Sequence, residues 1–328
     1  MFIIRTPFRV SFFGGGTDFE SYYKEHDGSV ISAAINKYCY VTVRRLPPLF
    51  PYKNQLTYSQ IERFNEPDQV RHPLVRQALG FLPVDRVQIS YDADLPACSG
   101  IGSSSAFAVG LLKGLHAMRN EFPDKMTLAK EAIFVERELC AEAGGVQDQL
   151  AASFGGLNRF TFSGAGISVE PIRLSNEAKE YLFGNLLLLF TGFTRFAADV
   201  SAQQQKSIPH SLHYLDEMKQ LTERAGELLR QNDIDGFGRL LNEEWNCKRK
   251  LSDSISNETV DEIMDRAIQA GAYGGKLIGA GGGGFMLLYA PKEVHRRIMD
   301  QFSGHLFVPF DLDESGSVFM DTQQNVRG

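Results

Sequence analysis

Apolar and polar positions alternate with a period of two in some stretches of the chain and recur at helical spacing in others. YCYVTVRRL (38–46) and VQISYDADL (87–95) read as strands, the second stopped by Pro96. The opening FIIRTPFRVSFFGGGTD reads as two short strands and a glycine turn, and PPLFPYKNQ (47–55) as a proline-rich loop. A helix is predicted over 103–118. Another is predicted from Thr127 as N-cap, with Leu128, Ala132, Val135 and Leu139 as its apolar stripe. VQDQLAASFGG gives a short helix stopped by glycine, and LNRFTFSG with ISVEPIRL gives a hairpin. LLLLF (186–190) reads as a buried strand. Long helices follow over about 197–231, 235–251 and 259–270, then a strand–glycine turn–strand (KLIGAGGGGFMLLYA), a helix and a last strand near HLFVPFDL. Strands and helices mix in the first half and helices dominate the second, which predicts an α+β protein. The boundary is placed near residue 180, giving units 1–180 and 181–328.

Composition narrows the function. Hydrophobic residues make up 43% of the chain, enough for a substantial core. The net charge of −6 argues against nucleic acid as a partner, because nonspecific phosphate neutralisation needs the opposite sign. The four cysteines are dispersed with no C-x-x-C pair, which fits a reduced, cytoplasmic setting rather than a zinc site or disulfide framework. The first ten residues lack a signal-peptide pattern, and the longest apolar run is too short to span a bilayer, so no membrane association is expected.

The candidate chemistry lies in the glycine-rich turns. LPACSGIGSSSAFAVG places three serines at the start of the 103–118 helix. A helix N-terminus offers unpaired N–H groups and a positive dipole end to a phosphate, and Gly100 and Gly102 allow close backbone approach. A serine-rich cap reads equally well from this stretch alone. No G-x-x-x-x-G-K-[ST] occurs, so a Walker A loop is excluded. Gly279, Gly281 and Gly284 spell G-x-G-x-x-G, but FMLLYA after them reads as a strand, whereas a dinucleotide fold requires a helix there. Four successive glycines would weaken a plain hairpin, which points to a close backbone approach. Glu136 and Glu138 flank the apolar stripe of the 127–143 helix on opposite sides, and periodicity does not choose between them.

RTPFRVSFFGGGTD, PACSGIGSSSA and KLIGAGGGGF resemble, in order and spacing, the three motifs of the GHMP kinases, the superfamily of galactokinase, homoserine, mevalonate and phosphomevalonate kinases. The resemblance spans essentially the whole chain. Within the superfamily, FFGGGTDF and ERELCAEAGGVQDQLAASFGGLNRF are most similar to the D-glycero-D-manno-heptose 7-phosphate kinases. It implies a two-domain fold with a ferredoxin-like C-terminal domain, ATP and Mg²⁺ as cofactors, and transfer of a phosphoryl group to the anomeric hydroxyl of a small sugar phosphate. A homodimer is compatible with it.

Residue by residue, the resemblance implies that Pro96, Ser99, Gly100, Ile101, Gly102, Ser103, Ser104 and Ser105 wrap the ATP phosphates. Ser104 aligns with the magnesium ligand, and spacing back from Asp148 selects Glu136 as its carboxylate partner. Asp148 matches the catalytic aspartate that receives or orients the attacking hydroxyl, and Arg9 the basic residue beside it. Asp18 matches a carboxylate that holds sugar hydroxyls. Gly15 and Gly16 stand where galactokinases have Glu-His, which argues against galactose. Gly281, Gly282 and Gly283 would close over nucleotide and substrate. Arg195 is the chosen candidate for the sugar's own phosphate, with Lys276 as a second, and His72 and the aromatics of 50–64 are candidates for bordering the adenine.

Overall fold

A computed structural model of the chain describes residues 1–193 and 197–321. The first half builds a sheet from β1 (Phe2–Phe13), β2 (Gly28–Arg45), β3 (Asn54–Thr57), β4 (Ile61–Phe64), β5 (Val87–Ala93), β6 (Leu157–Ser163) and β7 (Gly166–Pro171). Its helices are α1 (Glu20–His26), α2 (Pro73–Phe81), α3 (Ser103–Met118), α4 (Lys125–Phe134) and α5 (Gln147–Phe154). β2 is the spine. It pairs antiparallel with β1, with β5 along its second half, and with β6 along its first.

The opening is one strand, not two. The β1–β2 pairing shifts register at Pro7/Phe8 and again at Ser11/Phe13, and these breaks interrupt the alternation. β2 likewise extends the predicted 38–46 strand back to Gly28, because Asn36 and Lys37 fall in the first shift and disguise its continuity. Helix α3 has the predicted bounds. It is apolar nearly all round because it packs on β1 and β2 on one side and on α4 and α5 on others. Helix α4 starts earlier than expected. Asp124 is its N-cap, accepting a hydrogen bond from Thr127 N at 2.8 Å, so Thr127 lies within the first turn.

The second half contains α6 (Asn176–Gly184), β8 (Leu186–Phe190), α7 (Ala197–Arg230), α8 (Ile234–Lys248), α9 (Glu258–Gln269), β9 (Gly274–Leu277), β10 (Phe285–Tyr289), α10 (Lys292–Gln301) and β11 (Leu306–Phe307). Its strands form an antiparallel sheet in the order β11-β8-β10-β9. Helices enter between β8 and β9 and between β10 and β11, the ferredoxin-like arrangement. The chain then crosses back to the first sheet, where β12 (Val318–Phe319) pairs with the edge of β1. Among the described residues, no helix is long and apolar enough to cross a membrane.

A group of buried charges joins the halves. Lys276 on β9 is 1% exposed, and its Nζ donates to Phe12 O at 2.6 Å and to Glu244 Oε1 on α8 at 3.1 Å. The same carboxylate oxygen accepts from Gly14 N at 2.8 Å. Lys276 is therefore not a surface charge; it is buried within the junction, paired with Glu244. Burial opposes the charge on both Lys276 and Glu244, so each depends on the other. Glu244→Gln keeps the shape but leaves Lys276 without a counter-charge. Urea denaturation is expected to show a loss of about 3 kcal/mol, and a loss near zero would mean that the pair does not hold the junction.

Candidate active site

The segment after β5 is shaped by its own residues. Pro96 ends the strand, and Ser99 Oγ donates to Pro96 O at 2.6 Å to close a tight turn. Arg9 N donates to Ile101 O at 3.1 Å and ties the loop to β1. Gly102, at φ 75°, is the N-cap of α3 and brings no side chain to satisfy the helix. Ser103, Ser104 and Ser105, in the helix's first turn, line a cavity of about 510 Å³, and the amides of a first turn have no acceptor within their own helix.

On the cavity wall, Arg9 and Asp148 form a bidentate pair: Nε to Oδ1 at 2.7 Å and Nη2 to Oδ2 at 2.8 Å. Arg9 also donates through Nη1 to Gly100 O. The guanidinium is buried, while the Asp148 side chain keeps 22% exposure toward the cavity. One arginine thus joins β1, the glycine–serine loop and the first turn of α5.

Beside it stands a set of hard oxygen donors. Ser104 Oγ donates to Glu136 Oε1 at 2.9 Å, and Gln149 Nε2 donates to Glu136 Oε2 at 2.6 Å. Glu136 is 1% exposed, whereas Glu138 is exposed. The difference arises because α4 continues as a π-turn over Val135–Leu139, which rotates the helix phase and turns Glu136 inward. A hydroxyl and a carboxylate without a cationic partner fit Mg²⁺, which takes few protein oxygens and completes its shell with water and phosphates. Among the described residues, no three His, Cys, Asp or Glu side chains gather as a larger chelating group.

Gly15, Gly16 and Asp18 also line the cavity. Asp18 is 1% exposed; its Oδ1 accepts from Gly16 N at 2.9 Å and its Oδ2 from Gln147 N at 3.1 Å. Burial pushes its carboxyl above the usual range, the two amide bonds work against that rise, and the nearby Asp148 charge adds to it. A Cβ on Gly145 would come within 1.9 Å of Asp18 Oδ2, so only glycine lets the carboxylate sit there. Ser11 Oγ and Gln147 Oε1 also border the cavity, and both are buried without a hydrogen-bond partner. His72, Tyr58, Tyr91 and Phe107 add an aromatic group to the lining, with ring centroids 5.3 Å apart for Tyr58–His72, 5.5 Å for His72–Phe107 and 4.7 Å for Tyr91–Phe107. Burial lowers the His72 imidazole below its usual value and favours the neutral ring.

Of the residues singled out from the sequence, Arg9, Gly15, Gly16, Asp18, Gly100, Gly102, Ser103, Ser104, Ser105, Glu136 and Asp148 share this cavity. Pro96, Ser99 and Ile101 shape the loop from behind without lining it. Gly281, Gly282 and Gly283 do not line it either. A Cβ on Gly281 would meet Ile255 Cα at 2.8 Å, Gly282 N donates to Ile255 O at 2.9 Å, and Gly283 packs on Phe193. Gly279 and Ala280 are the glycine-loop residues on the cavity wall. Arg195 lies outside the described residues. Sequence reasoning missed Gln149, Arg137 and Lys248 as lining or supporting side chains. Gln149 had a signal in its place one residue after Asp148; Lys248, in a charge-rich helix, had none.

A family model described as the GHMP kinases N terminal domain matches residues 70–156, and one described as GHMP kinases C terminal matches residues 215–305. The D-glycero-alpha-D-manno-heptose 7-phosphate kinase of Campylobacter jejuni is 30% identical over 304 residues, 87% of this chain and 88% of its own. The bifunctional fucokinase/GDP-fucose pyrophosphorylase of Arabidopsis thaliana is 30% identical over 330 residues, 90% of this chain but 31% of its own. Among solved structures, a D-glycero-D-manno-heptose 1-phosphate kinase from Bacteroides thetaiotaomicron superposes with a TM-score of 0.80 at 22% identity, covering 98% of this chain and 99% of its own.

Proposed function

The chain belongs to the GHMP kinase family, and on that basis we propose that it transfers the terminal phosphoryl group of ATP to the anomeric hydroxyl of D-glycero-D-manno-heptose 7-phosphate. Sugar-kinase activity, phosphoryl transfer to a sugar hydroxyl, follows from the family and its relatives. The choice of heptose is the finer step. One observation carries the site assignment: the Arg9–Asp148 pair and the Ser104–Glu136 pair line the same cavity as the first turn of α3.

In this reading the adenine lies toward His72 and Phe107, and the triphosphate runs along the loop from Gly100 to Ser105. The backbone N–H groups bind its oxygens, and the α3 dipole favours their charge. Ser104 and Glu136 would hold Mg²⁺, which when bound neutralises phosphate charge. Asp148 accepts the hydrogen bond of the sugar's anomeric hydroxyl. As that oxygen bonds to the terminal phosphorus, the bond to the bridging oxygen of the leaving ADP breaks, and the hydroxyl proton passes to the Asp148 carboxylate. Arg9 fixes the carboxylate's orientation and lends positive charge to the site.

Asp18, Ser11 and Gln147 supply the acceptors and donors that sugar hydroxyls need. A Cβ on Gly16 would meet Gln204 at 2.7 Å and Leu215 at 3.2 Å, so a Glu-His pair does not fit at Gly15–Gly16 and the sugar contacts differ from those of a galactokinase. Fucose is the second substrate to consider, because the Arabidopsis bifunctional protein matches at the same identity. A cytoplasmic setting goes with the use of ATP.

Asp148→Asn keeps the shape of the carboxylate but removes its charge. Turnover is expected to fall by about 10²- to 10⁴-fold with nucleotide affinity unchanged in calorimetry; unaltered turnover would remove Asp148 from the chemistry. ADP release measured with heptose 7-phosphate, fucose and galactose is expected to be fastest with the heptose 7-phosphate. Turnover of an unphosphorylated sugar alone would overturn the substrate assignment while leaving the kinase in place.

A further inference from the structure

The cavity holds a cation that neither the motifs nor the site roles above account for. Lys248, at the C-terminal end of α8, is 3% exposed and borders the cavity beside Gly279. Its Nζ donates to Leu277 O at 2.9 Å and to Gly279 O at 2.6 Å. Both acceptors are neutral carbonyls. Glu244, one helical turn earlier, is bound through Oε1 by Lys276 and Gly14 N, and its Oε2 has no hydrogen-bond partner among the described residues, so it faces Lys248 as a charge without a direct bond. Two buried lysines thus lie beside one glutamate, and that glutamate bonds directly to Lys276. Burial is the main force pushing the Lys248 ammonium well below its usual value; Lys276 and Arg9 push in the same direction, while Glu244 and Asp18 push back.

Such a charge is costly unless an anion accompanies it. Among the described residues, the other arginines and lysines that line the cavity are already engaged. Arg9 is taken up by Asp148 and Gly100 O, and Arg137 donates to Gly145 O at 2.9 and 3.2 Å and to Glu142 O at 3.2 Å. An ammonium has three donors, and Lys248 spends two on carbonyls. Its position indicates which anion fits. A Cβ on Gly279 would fall 2.4 Å from Gly100 Cα, so the residue that anchors Lys248 lies directly against the residue that anchors Arg9. Lys248 and Arg9 therefore stand on either side of one backbone contact, where the two glycine loops meet.

We propose that Lys248 contacts the transferring phosphoryl group, as a catalytic cation supplied by the second half of the molecule opposite Arg9. This rests on the kinase reading above. In the transition state, charge gathers on the oxygens of that group, and a preorganised ammonium in a water-poor site stabilises it. The same contact would couple nucleotide binding to the domain junction, since the third donor of Lys248 gains its partner only when the terminal phosphate arrives.

The test separates charge from architecture. Lys248→Gln retains an amide donor for the Leu277 and Gly279 carbonyls and removes the charge; Lys248→Met is the second variant should the first not fold. Calorimetry would measure binding of ADP and of a non-hydrolysable ATP analogue, each with Mg²⁺, to wild type and variant. The expected result is a loss of about tenfold or more for the ATP analogue with ADP binding unchanged, and kcat lowered by about 10²-fold. Equal weakening of both nucleotides would assign Lys248 to holding the glycine loop and overturn the proposal. Unchanged binding of both would overturn it as well. If wild type bound neither nucleotide, the kinase reading itself would fall and the Lys248 assignment with it. Normal wild-type binding with an indifferent variant would leave the kinase reading intact.

Discussion

The arrangement turns on the guanidinium of Arg9. It is held almost out of solvent on β1, grips both oxygens of Asp148 and reaches the carbonyl of Gly100. Three elements far apart in sequence, at residues 9, 100 and 148, are registered by one planar group. Its fixed fork suits a carboxylate and a carbonyl at once, which a lysine ammonium would not do with the same geometry. With Arg9 in place, the carboxylate at 148 has a single orientation, and the loop that precedes α3 has a fixed distance from it. Phosphoryl transfer relies mainly on positioning and charge, so this geometry supplies much of what the chemistry requires.

The second constraint is steric. Gly100 at φ +83° and Gly279 at φ +74° lie backbone against backbone, and a Cβ on either would overlap the other chain segment. This contact is also where the two halves of the molecule meet around the cavity. The buried junction of Glu244, Lys276 and Lys248 lies behind it, tying Gly14 and Phe12 in the first half to β9 and the glycine loop in the second. The run of glycines at 281–284 thus serves packing as much as any ligand. Gly281 packs against Ile255, Gly282 N donates to Ile255 O, and Gly284 fits against Ser99 O.

Local signals in the sequence were reliable where one residue decided the outcome. Gly102 followed by an apolar run defined α3 at both ends, and glycine after Phe154 stopped α5. They failed where pairing decided it. β1 and β2 are long strands whose alternation is broken by register shifts, and a strand of two residues such as β12 has no pattern of its own. The strands β3 and β4 are only four residues long and the helices α2 and α6 nine each, too short for a periodic pattern to stand out from the loops around them. At the site, the choice of Glu136 over Glu138 was beyond a helical wheel because the π-turn alters the phase that a wheel assumes. Family spacing supplied it instead. Lys248 was illegible for a different reason: its meaning lies in the arrangement of charges around it, which exists only once α8, β9 and the glycine loop have come together.

The most direct measurement is a crystal structure of the protein with a non-hydrolysable ATP analogue, Mg²⁺ and heptose 7-phosphate. The expected density places the triphosphate against the amides of Gly100 to Ser105, with the terminal phosphorus between Asp148 and Ser104. A nucleotide bound elsewhere, with that loop free of ligand, would contradict the account at its base.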